Sequence, residues 1–214
     1  MLERISRREE FDLFIAWIAI SLAFAIIFLR GSGRTDPVIA LLYLGVSLLT
    51  VGIGFILHEM AHKFTALKYG FWAEFRKDNT MLVVAVALAA LVGVVFAAPG
   101  ATVIYDVNGR GISREQNGRI SVAGPMVNLL LCIPFIALLI LGGSISTTGN
   151  LVTMTGMIGL QVNAMIAAFN MLPISVLDGR KVLAWNAGVF VIMILAAFGM
   201  LLLSFYSDAL VNLL

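Results

Sequence analysis

Two histidines and a glutamate form the pattern in this sequence that could do chemistry. His58, Glu59 and His62 stand in the order H-E-x-x-H at the end of an apolar run, and the chain contains no other histidine. On a helix the two histidines lie one turn apart on the same face, so both imidazoles can bind one zinc ion. Glu59 beside them can act as a general acid or base toward water. The motif predicts a hydrolytic zinc site that still needs a third protein ligand.

The composition places this motif in a membrane. Hydrophobic residues make up 61% of the 214 residues and charged residues only 12%, whereas soluble domains carry about 25% charged residues. A net charge of +2 is too small to indicate a nucleic-acid partner. The sequence therefore predicts an all-α polytopic membrane protein surrounded by the lipid bilayer.

Five apolar runs are long enough to cross a hydrocarbon layer of about 30 Å. They are residues 13–29, 38–57, 120–141, 151–171 and 187–205. The second run leads directly into the motif, and basic residues from Lys63 to Lys77 follow it. Because basic residues are enriched on the cytoplasmic side, we expect the motif at the cytoplasmic face of the cell membrane.

A sixth apolar run, residues 81–98, could cross the membrane on length alone. A full crossing would put five basic residues on the opposite side from those that follow the motif, against the positive-inside bias. These five are Arg110, Arg114, Arg119, Arg180 and Lys181. We therefore expect a re-entrant or interfacial segment, with residues 101–105 as a short strand and 105–109 as a hairpin turn.

The third ligand is sought among the remaining carboxylates. Most acidic residues lie in charged surface stretches, where a solvated role is expected. These are Glu3, Glu9, Glu10, Asp12, Glu74, Asp78 and Glu115. Asp36 and Asp208 fall on the far side of the membrane, and Asp106 falls in the predicted turn. Asp178 remains, at the broken end of a span and before Gly179, which lets the backbone turn sharply. An ordinary Asp-Gly turn would explain it in isolation, but a motif that needs a carboxylate at this depth favours ligation.

These motifs resemble those of the site-2 proteases, the intramembrane zinc metalloproteases of regulated proteolysis, in a prokaryotic, archaeal-type form without a PDZ domain. The resemblance covers about residues 51–185 and rests on three motifs. The first is His58-Glu59-x-x-His62, and the second is Ala123-Gly124-Pro125 as a helix start with Asn128 after it. The third is Phe169-Asn170-Met171-Leu172-Pro173 before Leu177-Asp178-Gly179. It implies one zinc ion per chain on His58, His62 and Asp178, with Glu59 as the catalytic acid or base and Asn170 near the scissile carbonyl. Arg180 departs from the pattern, since many members have glycine there, and the 81–98 run is longer and more apolar than the family's membrane-associated sheet.

The resemblance implies hydrolysis of a peptide bond in a transmembrane protein substrate. Asn170 could donate a hydrogen bond to the developing oxyanion, the alternative being that it holds adjacent helices together or caps the broken helix end. Asn128 is a second candidate, but interhelical hydrogen bonding explains it equally well. Residues 101–105 could hold an unwound substrate by edge pairing. We expect one membrane-embedded domain, residues 1–214, with a catalytic core at 38–185 and peripheral helices at 13–29 and 187–205.

Two other classes of protein fit part of the pattern. A metal transporter would also place histidine and carboxylate inside a membrane, but its ligands should follow a path through the bilayer rather than gather at one face. A catalytically silent zinc-binding scaffold would keep the ligands without needing Glu59.

Overall fold

The computed structural model describes residues 5–34, 36–94, 100–106, 109, 111–142 and 151–206. Seven helices and a two-stranded sheet lie in these ranges. In chain order they are α1 (Arg7–Ser32), α2 (Pro37–Lys68), β1 (Trp72–Lys77), α3 (Asn79–Leu91), β2 (Gly100–Tyr105), α4 (Arg114–Gly142), α5 (Leu151–Asn170), α6 (Asp178–Trp185) and α7 (Ala187–Phe205).

Five of the described helices, α1, α2, α4, α5 and α7, are long and apolar enough to cross a membrane. A helix suits the hydrocarbon layer because it pairs its backbone groups within one segment. The prediction of an all-α, multi-pass membrane protein with five spans is therefore confirmed. The last span has the predicted bounds, whereas α1 and α2 extend beyond the apolar runs by several residues at the ends.

The first two helices are joined by a tight turn whose residues set both helix ends. Gly33 ends α1 in the left-handed conformation, with φ of 64°, which glycine adopts without a steric cost. Asp36 begins α2, since its carboxylate accepts from the backbone N–H of Val38, and Pro37 occupies the first helical turn. The connection reverses the chain, so α2 returns to the membrane face from which α1 departs.

The sixth apolar run does not cross the membrane. Its helix, α3, has 13 residues and is therefore about 20 Å long. The strands on either side of it, β1 and β2, pair antiparallel with Lys77 opposite Gly100, so the segment between them returns to the side it left. The prediction of a re-entrant or interfacial segment that does not cross, and of a strand at 101–105, is confirmed for the described residues, which leave out 95–99. The sequence did not predict β1 as its partner.

One local expectation between β2 and α4 is wrong, and the other lies partly outside the described residues. The predicted hairpin turn at 105–109 includes residues 107 and 108, which are outside the described ranges. The partner of β2 is the earlier strand β1, and Asp106 accepts from the backbone N–H of Gly111. Helix α4 does not start near Pro125 but at Arg114. The reason is a capping box, in which Ser113 and Gln116 exchange side-chain to backbone hydrogen bonds of 3.1 and 3.0 Å. Pro125 consequently lies well inside the helix.

Three acidic residues expected in solvated stretches are buried instead. Glu9, Asp12 and Glu74 are at most 8% exposed. The cause is the docking of the amino-terminal end of α1 on β1, where Arg76 forms ion pairs with Asp12 and Glu74, and where Lys63 of α2 forms one with Glu9. Opposite charges can share a buried interface of this kind when each one is paired.

Candidate metal centre

The three predicted ligands meet in the structure. The Nε2 atoms of His58 and His62 are 3.0 Å apart, and Oδ2 of Asp178 lies 3.5 Å from the first and 3.1 Å from the second. In a tetrahedral zinc site with bonds of about 2.0–2.1 Å, neighbouring donor atoms are about 3.3 Å apart. The spacing and the chemistry of this donor set therefore fit zinc, with one tetrahedral position left for water or substrate.

The loop after α5 carries Asp178 to the same membrane face as the histidines. Helix α5 ends at Asn170, and Asp178 is the first residue of α6. Gly179 is necessary for this path because a Cβ there would lie 2.1 Å from the backbone oxygen of Met171. A transporter would spread its ligands along a path across the bilayer. The three candidate ligands among the described residues instead lie together.

The surroundings of Asp178 favour its ionised form. Burial acts to raise the pKa of this carboxyl, but the facing imidazoles of His62 and His58 hold the pKa well below its usual range. Lys181 adds a further positive charge, with Nζ 3.7 Å from Oδ1 of Asp178. An ionised carboxylate is the form that binds a metal ion.

The hydrogen bonds of Asn128 set the tautomer of His58. The side-chain amide of Asn128 donates to the backbone oxygen of Gly54 at 3.1 Å and to Oδ1 of Asn163 at 2.9 Å. Asn163 in turn donates to the backbone oxygen of Gly159. Oδ1 of Asn128 is thus an acceptor, and Nδ1–H of His58 donates to it at 2.6 Å. The Nε2 lone pair of His58 is left available for a metal ion.

A backbone carbonyl orients His62 in the same way. Its Nδ1–H donates to the backbone oxygen of Ile120 on α4 at 2.8 Å, so its Nε2 also presents a lone pair. Helix α4 can approach this closely because it has a glycine at the contact. A Cβ on Gly124 would lie only 2.4 Å from Nε2 of His62.

The donor atoms face a cavity of about 80 Å³ that also contains the proposed acid or base. Glu59 is buried and lines this cavity, and its Oε2 accepts a hydrogen bond from Oγ1 of Thr102 at 2.8 Å. Asn170 lines the cavity as well, while its amide donates to the backbone oxygen of Ile166 one turn back. Asn128 is instead fully buried behind His58.

Comparison with known proteins agrees with this chemistry. The chain is 38% identical over 199 residues to a curated protein of the archaeon Methanocaldococcus jannaschii whose name gives zinc metalloprotease as a provisional assignment. The match covers 93% of this chain and 95% of that protein. The chain belongs to this zinc metalloprotease family. Membership is consistent with the resemblance of its motifs to the site-2 proteases, and it confirms the expectation of zinc as cofactor. No family model and no solved structure matches the chain.

Four residues of this zinc metalloprotease site were missed or misread in the sequence. Asn163 shows a usable signal, because an amide in the middle of an apolar span is costly unless it has a partner. Thr102 shows no local signal beyond its place in a predicted strand. Glu9 was expected in a solvated stretch, and Lys63 was counted only among the basic residues that follow the motif, although both are fully buried.

Replacing Asn128 by leucine is expected to weaken zinc binding by about 10- to 100-fold, because partners of ligating histidines commonly contribute that much. The change removes the acceptor for His58 Nδ1–H and leaves the tautomer undefined. Competition against a chelating dye measures the affinity. Gln161→Leu is a matched control, since Gln161 bonds to the backbone oxygen of Ser204 on α7 rather than to the site. Equal zinc affinity in Asn128→Leu and the unmodified protein would contradict this role.

Proposed function

We propose that the chain is a site-2-type intramembrane protease, which hydrolyses a peptide bond within or beside a transmembrane helix of a protein substrate. The observation that supports this most directly is the position of the cavity. It extends from the three metal donors and Glu59 to apolar side chains of the spanning helices α1 and α5, namely Ile20, Phe24, Met165, Ile166 and Phe169.

The depth of this cavity suits a substrate that lies in lipid. Ile20 stands 13 residues after the start of α1 at Arg7, which is about 20 Å along the helix and close to its middle. A substrate segment that reached the donors through this cavity would therefore be surrounded by apolar side chains. Because its own backbone is hydrogen bonded as a helix, it would need to unwind locally before attack.

The residues of the cavity have the groups that peptide hydrolysis needs. Zinc on these donors would supply a Lewis acid that polarises the scissile carbonyl and makes water more acidic. Glu59 accepts a proton from the attacking water and later gives it to the leaving amine. Asn170 lines the same cavity and is proposed to donate to the developing oxyanion, exchanging its bond to Ile166 for one to substrate.

The active site is proposed to face the cytoplasm. The start of α1, the end of α2, β1, β2, the start of α4 and α6 lie at the same end of the helices as the donors. Most of the described basic residues lie on these elements, whereas Arg30 and Arg34 lie near the opposite end of α1. This distribution follows the positive-inside bias.

Cleavage by the purified full chain in lipid vesicles tests the proposal. The substrates are a set of transmembrane peptides with varied residues around a central glycine pair, which allows local unwinding. Mass spectrometry is expected to find fragments cut within the apolar segment. The cleavage should stop with a zinc chelator and return with added zinc. Cleavage of soluble casein alone, or of no membrane peptide, would overturn the proposal and would favour a soluble-substrate protease or a silent scaffold.

A further inference from the structure

The small sheet is attached to the helix that carries the metal donors at two points one turn apart. Glu59 and Lys63 lie four residues apart on α2 and therefore on one face. Glu59 accepts from Thr102 of β2 at 2.8 Å, while Nζ of Lys63 donates to the backbone oxygen of Ala73 in β1 at 2.9 Å. One helix face thus holds both strands, and one of the two attachment points is the proposed catalytic carboxylate.

The amino-terminal end of α1 joins the same contacts. One carboxylate oxygen of Glu9 forms an ion pair with Lys63, and the other accepts from the backbone N–H of Phe75 at 3.0 Å. Phe75 is the residue of β1 directly opposite Thr102 in the sheet. Glu9 is therefore connected to Glu59 in three steps. Glu9 accepts from the backbone N–H of Phe75, Phe75 pairs with Thr102 across the sheet, and the Thr102 hydroxyl donates to Glu59.

A gain in folding stability does not explain why this ion pair is buried. Both Glu9 and Lys63 have no exposed surface. The desolvation of two charges can exceed their mutual attraction, and an apolar pair of similar volume is often as stable. What a fully paired Glu9 does supply is a fixed position for Phe75, and thereby for Thr102 opposite it.

We propose that Thr102 and the Glu9–Lys63 pair are positioning residues for Glu59. Through them, the amino-terminal end of α1 holds β2 in the position where the Thr102 hydroxyl donates to one carboxylate oxygen of Glu59. This hydrogen bond fixes the rotation of the Glu59 carboxylate. The inference rests on the proposed function, because it takes Glu59 as the acid or base. Since a displacement of about 1 Å can lower a rate by up to about 100-fold, the orientation of this carboxylate matters for turnover.

Substitutions at Thr102 test the hydroxyl itself. Thr102→Val keeps the shape and removes the donor, so kcat for a membrane peptide should fall by about 10-fold with little change in KM and with zinc content unchanged. Thr102→Ser restores the hydroxyl and should restore most of kcat. Wild-type kcat in Thr102→Val, or a serine variant as slow as the valine variant, would overturn the role of the hydroxyl.

Substitution of Glu9 tests the connection to α1. Glu9→Gln keeps an acceptor for the Phe75 N–H but removes the charge that pairs with Lys63. We expect faster backbone hydrogen exchange in residues 72–77 and 100–105, and a lower kcat. Glu10→Gln is the matched control, since Glu10 is the exposed neighbour on the same helix. If Glu9→Gln fails to fold, Glu9→Gln combined with Lys63→Met removes both charges and is measured in its place.

The combination of both changes separates positioning from general destabilisation. If Glu9 acts through Thr102, Glu9→Gln with Thr102→Val should be about as slow as Thr102→Val alone. Effects on kcat that multiply would overturn the inference, as would hydrogen exchange of the two strands that is the same in Glu9→Gln and Glu10→Gln. If the unmodified protein cleaves no membrane peptide, the proposed function fails, while the exchange measurement still tests the attachment of the strands by Glu9.

Discussion

Replacing Glu59 by glutamine is expected to lower the rate of peptide cleavage by about 100- to 10,000-fold, the usual contribution of a general acid or base. Glutamine has the shape of glutamate and keeps an oxygen that accepts from Thr102, so the local packing should persist. It cannot take a proton from water. Because Glu59 is not one of the three donors that meet at the site, the zinc content should be unchanged.

Parallel measurements of zinc content and turnover make this result specific. Glu115→Gln is a suitable control, since Glu115 is an exposed glutamate on α4 that pairs with Arg119. A Glu59→Gln variant that cleaves at the normal rate would remove Glu59 from the mechanism. A variant that loses zinc together with activity would show that Glu59 supports the donors rather than the chemistry. A zinc-binding scaffold would show no turnover even before the substitution.

The membrane fold was predictable because lipid restricts the choices. A segment needs about 20 apolar residues to cross, and only a helix satisfies its backbone within one segment. Length and composition alone therefore located the five spans. The re-entrant run at residues 81–98 needed a further argument, since its length allows a crossing. The distribution of basic residues supplied that argument, and the pairing of Lys77 with Gly100 agrees with it.

The approach of Asp178 to the histidines was predictable for a related reason. Few carboxylates stand near the end of a broken span, and the charge distribution put this one on the side of His58 and His62. The burial of Glu9 was not predictable in the same way. Its partners Lys63 and Phe75 are 54 and 66 residues away in sequence. A pattern of neighbouring residues cannot predict contacts at that separation. A charged stretch at a helix end looks the same whether it meets water or a buried cation.

The orientation of the imidazoles also depends on contacts that sequence patterns do not reveal. Asn128 can be recognised as a polar residue in an apolar span, but its role follows only from the chain of hydrogen bonds through Gly54 and Asn163. Gly124 is similar. A glycine in a membrane helix usually indicates close helix contact, and the structure adds that the contact is with the imidazoles of the candidate metal site.

This contact makes Gly124→Ala a severe test of the proposed metal site. The added Cβ would lie 2.4 Å from Nε2 of His62 and 2.7 Å from Cε1 of His58, so close that the rings or the helix would have to shift. Neither ring can turn aside freely, because His62 is bonded to the backbone oxygen of Ile120 and His58 to Asn128. We expect zinc affinity to fall by more than about 100-fold, beyond the usual effect of losing a partner of a ligand, and cleavage to fall with it.

The physical reason for the loss can be separated from unfolding. Alanine is more favourable than glycine inside a helix by about 1 kcal/mol, so helix propensity alone would make Gly124→Ala more stable, not less. Gly199→Ala on α7 is the matched control, since a Cβ there has no neighbour within 4 Å, and it should keep full zinc content. Metal analysis of both purified variants decides the matter. Normal zinc binding in Gly124→Ala would mean that the imidazoles move aside at little cost, and that the rigid donor arrangement inferred for His58 and His62 is wrong.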